Sequence, residues 1–274
     1  MCPGLNALAN HGYIPHNGVA TIQQFIDGTF KGFGMASDLA TFLAIYGSVV
    51  DGTLTGWSIE GVPHTGIAGS HGNYDGDSSP NYADLNQYGS NVKLVLSQFK
   101  TLYNLQPDAS TANYNLEVLR QFRGQRFQES IDKNPDFTYN PFAGILVTQA
   151  AYTFIYRFMA NKSAEYPEGV LNKDVLKSFF SISGPDSNLK WTKGYERFPD
   201  VFYKRAIGDE YSIPYFQTDI ATSQRPNPRS SSQAATRARS IPSTPLTYLP
   251  SLAAPTLRLL LLRTRYGQNN ILPH

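Results

Sequence analysis

The sequence has a single cysteine, no long apolar run and, after Asp219, no acidic side chain. One cysteine excludes an intramolecular disulfide and zinc sites built from several cysteines. No apolar run approaches the roughly 20 residues that a transmembrane helix needs, so we expect no membrane span. Hydrophobic residues make up 41% of the 274. They are enough to fill a core, which argues against a wholly disordered chain.

The basic charge of the chain is concentrated in its C-terminal part. Of 23 basic residues, seven are arginines between Arg225 and Arg265, so residues 1–224 carry 16 basic and 21 acidic side chains. This acidic body argues against nucleic acid as a partner. Residues 225–274 consist largely of Ser, Pro, Thr, Arg and Leu without a hydrophobic period. That composition predicts a disordered or non-native tail, with a basic interaction arm as the alternative.

Apolar residues recur at helical spacing through much of residues 1–224. Thr21 and Gln24 fit a capping box, and Asn172 can cap another helix. Residues 1–18 are rich in Gly, Asn, His and Pro, which predicts an ordered loop. No series of alternating strands is present, so we predict an all-α fold with one domain at 1–224 and a tail at 225–274. The helices are expected at about 22–33, 37–50, 92–103 and 116–131, in a segment that opens at Asn140-Pro141 and runs through 150–158, and at 172–179.

The cysteine opens a distinctive run of residues. Cys2 is followed by Pro-Gly-Leu-Asn-Ala-Leu-Ala-Asn-His-Gly-Tyr-Ile-Pro. This run closely resembles the motif of the heme-thiolate peroxidases, the family of chloroperoxidase and the fungal unspecific peroxygenases. The resemblance implies an all-α fold whose N-terminal loop carries Cys2 as the axial ligand of one heme b. A thiolate ligand donates electron density to iron and favours O–O cleavage. The family also has a proline and a longer arm before its cysteine, so we expect such residues upstream of Met1.

Two further segments resemble the same family, and the likeness extends over about residues 2–205. One contains Tyr114 and then Arg-Phe-Gln-Glu-Ser-Ile-Asp-Lys-Asn-Pro at 126–135. The other begins at His71 and includes Asp75, Gly76 and Ser79. In the family, the matching carboxylate, carbonyl and hydroxyl hold magnesium or manganese against a heme propionate. The resemblance therefore implies a Mg²⁺ site, possible for Mn²⁺ as well, because hard cations take oxygen ligands. An acidic, solvated turn is the alternative.

The sequence departs from the family where a glutamate is expected to move protons to and from peroxide. Alignment of residues 142–154 places Gln149 at that position. An amide can hydrogen-bond to peroxide but cannot carry the proton. Phe142, Tyr152 and Phe154 are candidates for a substrate pocket or for the core. Gln149 therefore puts peroxide activation in question, while heme binding is still expected.

The function implied by the resemblance is oxidation or oxygenation of small organic molecules by hydrogen peroxide at a cysteine-ligated heme. The alternatives are halide oxidation, a heme-binding protein with weak turnover because of Gln149, and the same fold without heme. We expect no nucleic-acid or membrane partner, and a monomer or weak dimer. Family members are typically secreted, although no signal peptide precedes Cys2.

Overall fold

The computed structural model describes residues 2–59, 77–89, 93–137 and 146–223. The predicted tail, from 225 onward, lies outside these residues. In the part described, helices account for most of the regular structure. The α-helices are α1 (Pro3–Asn10), α2 (Ile22–Phe33), α3 (Ser37–Asp51), α4 (Leu85–Tyr88), α5 (Leu96–Asn104), α6 (Leu116–Lys133), α7 (Thr148–Met159), α8 (Lys173–Phe179) and α9 (Ile213–Ser223).

Two short antiparallel sheets complete the described elements, together with a 3₁₀ turn at Asp186–Asn188. Strand β1 (Val19–Thr21) pairs with β2 (Gly56–Ser58), and β3 (Ile182–Ser183) pairs with β4 (Lys190–Trp191). Each strand is too short to form a layer of its own, so the prediction of a helical fold is confirmed. Over the described ranges, no helix is both long and apolar enough to cross a membrane.

Local sequence signals set the ends of several helices. The Thr21 hydroxyl accepts a hydrogen bond from the Gln24 amide, and the Gln24 side chain accepts one from the Thr21 amide, which is the predicted capping box. Gly34 follows the last residue of α2 as its C-cap, and its φ of 70° is the left-handed conformation that glycine adopts at low cost. Asn115 caps α6 and Asn172 caps α8, each through its side-chain oxygen. These ends follow directly from short-range sequence.

Helix α1 corrects the expectation of a loop at residues 1–18. Pro3 stands in the first turn, where its missing amide hydrogen costs nothing. Ala7, Leu8 and Ala9 are buried, and Leu8 packs closely against Gly32 of α2. Gly12 then follows with a φ of 73°. Burial of this short apolar segment outweighs the weak helix propensity of the Asn and Gly residues in it.

Helix α9 was not predicted, and an ionic network whose Arg157–Asp219 pair is largely buried holds it against α7. The Nε and Nη2 atoms of Arg157 donate to the two carboxylate oxygens of Asp219 at 2.8 and 2.7 Å. The Tyr211 hydroxyl donates to the same carboxylate at 2.6 Å. Glu168 pairs with Arg157 and accepts two hydrogen bonds from Arg205 at 3.2 Å each. The network therefore joins α7, α9 and the segments around residues 168 and 205.

Candidate active site

An apolar cavity of about 170 Å³ lies among α1, α2, α3 and α7. Aromatic and aliphatic side chains make up most of its wall, and no Lys, Arg, Asp, Glu or His belongs to the lining that the described residues form. Such a cavity favours an uncharged, largely apolar ligand. The lining includes Cys2, Pro3, Gly4, Leu5, Phe25, Thr29, Phe33, Met35, Leu43, Tyr46, Trp57, Asn81, Tyr82, Ala150, Ala151, Phe154, Phe158, Phe180 and Phe216.

Cys2 lies at the N-terminus of α1 and on the cavity wall. It is the N-cap residue, with φ −73° and ψ 116°, and its carbonyl accepts a hydrogen bond from the Asn6 amide at 3.0 Å. The N-terminal end of a helix stabilises negative charge, which favours a thiolate over a thiol. The structure thus places Cys2, the predicted ligand, at the N-terminal end of a helix and on the wall of an apolar cavity.

The polar residues of the cysteine motif anchor α1 to the segment around residue 196. Asn6 Nδ2 donates to the Glu196 carboxylate at 2.5 Å, and Asn10 Nδ2 donates to the Glu196 carbonyl at 2.7 Å. The ring of His11 accepts a hydrogen bond from the Phe198 amide at 3.2 Å and packs edge-on against its phenyl ring. These contacts fix the helix that carries Cys2, and they give Asn6, Asn10 and His11 positioning roles.

Helix α7 presents two different faces, and Gln149 lies on the face away from the cavity. Leu146 and Val147 just before the helix, and Ala150, Ala151 and Phe154 within it, line the cavity. Gln149 is 3% exposed and instead lines a small cleft with residues of α6. Tyr152 shares that cleft, and its hydroxyl donates to the Ser78 carbonyl at 2.8 Å. The structure therefore brings Phe154 to Cys2's cavity but does not bring Gln149 or Tyr152 there, and Phe142 lies outside the described residues.

The predicted metal segment is described only in part. Asp75 and Gly76 lie outside the described residues, whereas Ser79 is buried. The Ser79 carbonyl accepts hydrogen bonds from Gln98 Nε2 at 2.9 Å and Arg126 Nε at 3.4 Å. No group of three or more His, Cys, Asp or Glu side chains suited to a metal occurs over the described ranges. The structure thus fixes the end of this segment without showing a complete ligand set.

Three polar residues of α6 and its C-cap hold the segment from 77 to 84. Arg126, Ser130 and Asn134 are four residues apart, so they lie on one side of the helix. Ser130 pairs with the Ser78 hydroxyl at 2.9 Å, and Arg126 lies 3.7 Å from a carboxylate oxygen of Asp84. Asn134 Nδ2 donates to the carboxylates of Asp77 and Asp84 at 3.1 and 3.2 Å. This explains the Arg, Ser and Asn of the 126–135 motif as positioning residues.

The sequence reasoning identified Cys2 and Phe154 but missed most of the cavity lining, including Phe216 and Asn81. Phe216 comes from α9, and its helix could have been found from the i, i+3, i+7 spacing of Ile213, Phe216 and Ile220. No sequence pattern indicates that Asn81 lines the cavity, because an Asn in a Pro- and Ser-rich stretch is typical of a turn. Its place in the cavity wall depends on contacts with residues distant in sequence.

The comparisons with known proteins all point to the same family. The profile described as "Peroxidase, family 2" matches residues 1–207. The aromatic peroxidase fscJ of Fusarium equiseti is 35% identical over 80% of this chain and 54% of its own length. The dothistromin biosynthesis peroxidase dotB of Dothistroma septosporum is 35% identical over 81% of this chain and 55% of its own. The aromatic peroxygenase of Cyclocybe aegerita is 30% identical over 74% and 54%.

The chain spans about half the length of these three relatives. The family match nevertheless covers most of the chain and includes both Cys2 on the cavity wall and the α6 residues that hold the 77–84 segment. The chain belongs to peroxidase family 2, the heme-thiolate peroxidase family that its cysteine motif resembles.

Proposed function

We propose that this protein uses hydrogen peroxide to oxidise or oxygenate small aromatic molecules at a cysteine-ligated heme b. The observation that carries the proposal is the position of Cys2, at the N-terminus of α1 and on the wall of an apolar cavity. The names of the relatives, aromatic peroxidase and aromatic peroxygenase, support the substrate class. Family membership implies heme, peroxide and an organic substrate.

The residues present fit a heme. A porphyrin needs apolar walls and an axial ligand, and the cavity supplies aromatic and aliphatic side chains together with the Cys2 thiol. When bound, the heme supplies the redox chemistry, in which a thiolate ligand favours O–O cleavage. The chain's own groups would hold the ligand sulfur at the end of α1, exclude water through Phe33, Phe154 and Phe158, and orient the substrate.

A second candidate is a heme-binding protein with weak turnover, which is favoured by the lack of an Asp, Glu or His side chain in the cavity lining that the described residues form. Reduced carbon-monoxide spectra and peroxide turnover of an aromatic substrate, with and without halide, separate the candidates. A long-wavelength Soret band with aromatic turnover that needs no halide supports the proposal. The same band without turnover supports the second candidate, turnover that depends on halide supports a haloperoxidase, and absence of the band excludes thiolate-ligated heme.

The sequence-based assignment of Gln149 to proton transfer is tested by Gln149→Glu. Because Gln149 faces α6 and not the cavity, we expect peroxide-dependent oxidation to stay within about threefold of the wild type, well short of the 10²–10⁴-fold that positioned proton transfer contributes. Initial rates over a range of peroxide concentrations measure this. Gln149→Met, similar in size and uncharged, is the control for packing. A gain of about 100-fold in the Glu variant would place residue 149 beside the bound peroxide.

We further propose that Asp75, the Gly76 carbonyl and Ser79 bind Mg²⁺, or Mn²⁺, beside a heme propionate. Asp75→Asn should lower metal affinity by at least the 10–100-fold that loss of an outer-shell partner costs. Metal content by mass spectrometry and the rate of heme loss to apomyoglobin measure the effect. Asp132→Asn, on the exposed side of α6, is the control. Unchanged metal content in the Asp75 variant would refute the site.

The remaining assignments are also proposals: a monomer or weak dimer, secretion from the cell, and a folded domain that ends near Gln224. Helix α9 ends at Ser223, and its buried side chains include Phe216 and Ile220. We therefore expect a chain ending at Gln224 to melt within a few degrees of the full chain, because the composition of residues 225–274 offers little burial to offset ordering entropy. Calorimetry of the two chains measures this. A loss of more than about 10 °C would show that residues 225–274 stabilise the domain.

A further inference from the structure

Tyr211 lies directly behind the cavity wall, and its hydroxyl is held on a carboxylate. Its ring packs edge-on against Phe158, with centroids 5.3 Å apart, and against Phe154, at 6.2 Å. Both phenylalanines line the cavity. Tyr211 itself is buried, and its hydroxyl donates to Asp219 at 2.6 Å. A tyrosine thus lies one ring away from the space proposed for the heme and its substrate.

A second tyrosine continues this path to the protein surface. The ring centroids of Tyr211 and Tyr215 lie 5.8 Å apart, with 31° between the ring planes. Tyr215 is 39% exposed, and its hydroxyl also donates to a carboxylate, that of Asp209 at 3.0 Å. The two tyrosines therefore form a short chain from the cavity wall to solvent, and each has a base beside its hydroxyl.

The carboxylates matter because an oxidised phenol is a far stronger acid than a phenol. A tyrosine loses an electron readily only when a base accepts its hydroxyl proton. The buried hydroxyls of Tyr114 and Tyr156 donate instead to main-chain carbonyls, which are weak bases. Burial, and then the hydrogen bond to Asp219, raises the pKa of Tyr211, so its hydroxyl keeps the proton until the ring is oxidised.

Two guanidinium groups make loss of this proton necessary. Arg157 lies 5.7 Å from the ring centroid of Tyr211, and Arg205 lies 4.7 Å from that of Tyr215. A cation so close opposes positive charge on the ring. Oxidation of either tyrosine is therefore favoured only as the loss of an electron together with a proton, which the adjacent carboxylate accepts.

We propose that Tyr211 and Tyr215 form a relay that carries oxidising equivalents from the cavity to the surface, where Tyr215 oxidises phenols and hydroquinones too large to enter the cavity. This inference rests on the proposed use of hydrogen peroxide. It adds a second site of oxidation for substrates that the cavity excludes.

The steps of the relay balance in electrons and protons. Tyr211 gives one electron toward the cavity, and its hydroxyl proton moves to Asp219. Tyr215 then gives an electron to the Tyr211 radical, which regains its proton from Asp219, while the Tyr215 proton moves to Asp209. A phenol at the surface returns an electron to Tyr215, which regains its proton, and the O–H bond of that phenol breaks with release of a proton to solvent. Two such cycles supply the two electrons and two protons that reduce one hydrogen peroxide to two waters.

The test compares free hydroquinone with hydroquinone coupled to dextran, which has the same chemistry but cannot enter the cavity. Both are oxidised with peroxide by the full heme-loaded chain. Tyr211→Phe and Tyr215→Phe should each lower the ratio of the dextran-bound to the free rate by about tenfold or more. Tyr215→Phe removes only a surface hydroxyl, so it tests the relay even where the loss of a buried hydrogen bond in Tyr211→Phe lowers the melting temperature by a few degrees.

Two matched variants control for the loss of a tyrosine hydroxyl. Tyr103→Phe removes another buried hydroxyl from a carboxylate, that of Asp186 at 2.7 Å. Tyr203→Phe removes one from another exposed tyrosine. Among the ring contacts of the described residues, neither tyrosine packs against Tyr211 or Tyr215. Both variants should therefore keep the wild-type ratio of rates.

Spin trapping gives a readout that does not depend on turnover. After addition of peroxide without substrate, mass spectrometry should find the trap adduct on Tyr215 in the wild type and not in Tyr211→Phe. Photochemical oxidation by a soluble ruthenium(III) complex needs no peroxide and should still modify Tyr215 in Tyr211→Phe, because that side chain stays exposed. A peroxide-dependent adduct on Tyr215 that persists in Tyr211→Phe would overturn the relay. So would wild-type adducts on Tyr46 or Trp57 of the cavity wall with none on Tyr215.

The proposed function and the relay fail in different ways. If the wild type oxidises neither form of hydroquinone with peroxide, the proposed function fails and the relay fails with it. If the wild type oxidises free hydroquinone and the ratio of rates is the same in both tyrosine variants, the relay fails and the proposed function stands.

Discussion

Replacing Cys2 with serine should abolish the thiolate type of carbon-monoxide spectrum and peroxide-dependent oxidation while leaving the fold intact. Cys2 is the only cysteine of the chain and lies at the cavity wall. Serine is a favourable N-cap residue, so α1 should keep its N-terminus, whereas a serine hydroxyl is not a thiolate donor. We expect oxidation to fall to the level of free heme, with a melting temperature within a few degrees of the wild type.

Cys2→Ala provides the comparison, because it removes the sulfur without adding a capping oxygen. Both variants should lose the same spectral band and the same activity, although the alanine variant should be about 1 kcal/mol less stable than the serine variant, which gains a capping oxygen. Circular dichroism with reduced carbon-monoxide spectra of both variants measures the two effects separately. If either variant retained the wild-type band, Cys2 would not be the axial ligand.

The parts of the fold that could be predicted are those set by neighbouring residues. The Thr21 capping box and the Asn172 cap require only side chains within three residues of one another, and both are present. Helix α1 was missed because its propensities are weak and its stability comes from packing Leu8 against α2. Helix α9 lies beyond the range of the family resemblance, so only its own periodicity could have indicated it.

The place of Cys2 on the cavity wall was easier to predict from the sequence than the place of Gln149, for a geometric reason. One residue along a helix turns a side chain by about 100°, so an alignment that is uncertain by one position cannot decide which face a residue occupies. In the structure, Ala150 and Ala151 face the cavity and Gln149 faces α6. Cys2 needed no such decision because it lies at the start of its helix.

Helix α9 links the stability of the domain to the cavity. Phe216, on this helix, lines the cavity and packs against Phe154 with ring centroids 5.3 Å apart. Three residues further on, Asp219 is 6% exposed and accepts hydrogen bonds from Arg157 and Tyr211. Burial, and then the hydrogen bond to Asp219, raises the pKa of Tyr211 above its usual value, so the phenol remains a donor.

The charged groups around the Arg157–Asp219 pair show what loss of the Asp219 carboxylate would mean. Lys162 is buried nearby, where its Nζ donates to the carbonyls of Arg157 and Glu168. Burial, followed by the charge of Arg205, lowers the pKa of Lys162 to about 7. Loss of the Asp219 carboxylate would leave the Arg157 guanidinium with Glu168 as its remaining carboxylate partner in the described structure.

Asp219→Asn should accordingly destabilise the domain by about 3–5 kcal/mol, the usual cost of breaking a buried ion pair by removing one partner. For a domain of this size, that corresponds to a fall of roughly 10 °C in melting temperature. Heme should also dissociate faster, because α9 holds Phe216 in the cavity wall. Calorimetry and the rate of heme transfer to apomyoglobin measure the two effects.

Asp200→Asn is the control, since its pair with Arg197 is exposed and should contribute less than about 1 kcal/mol. Equal small losses in both variants would show that the Arg157–Asp219 pair does not hold α9 in place.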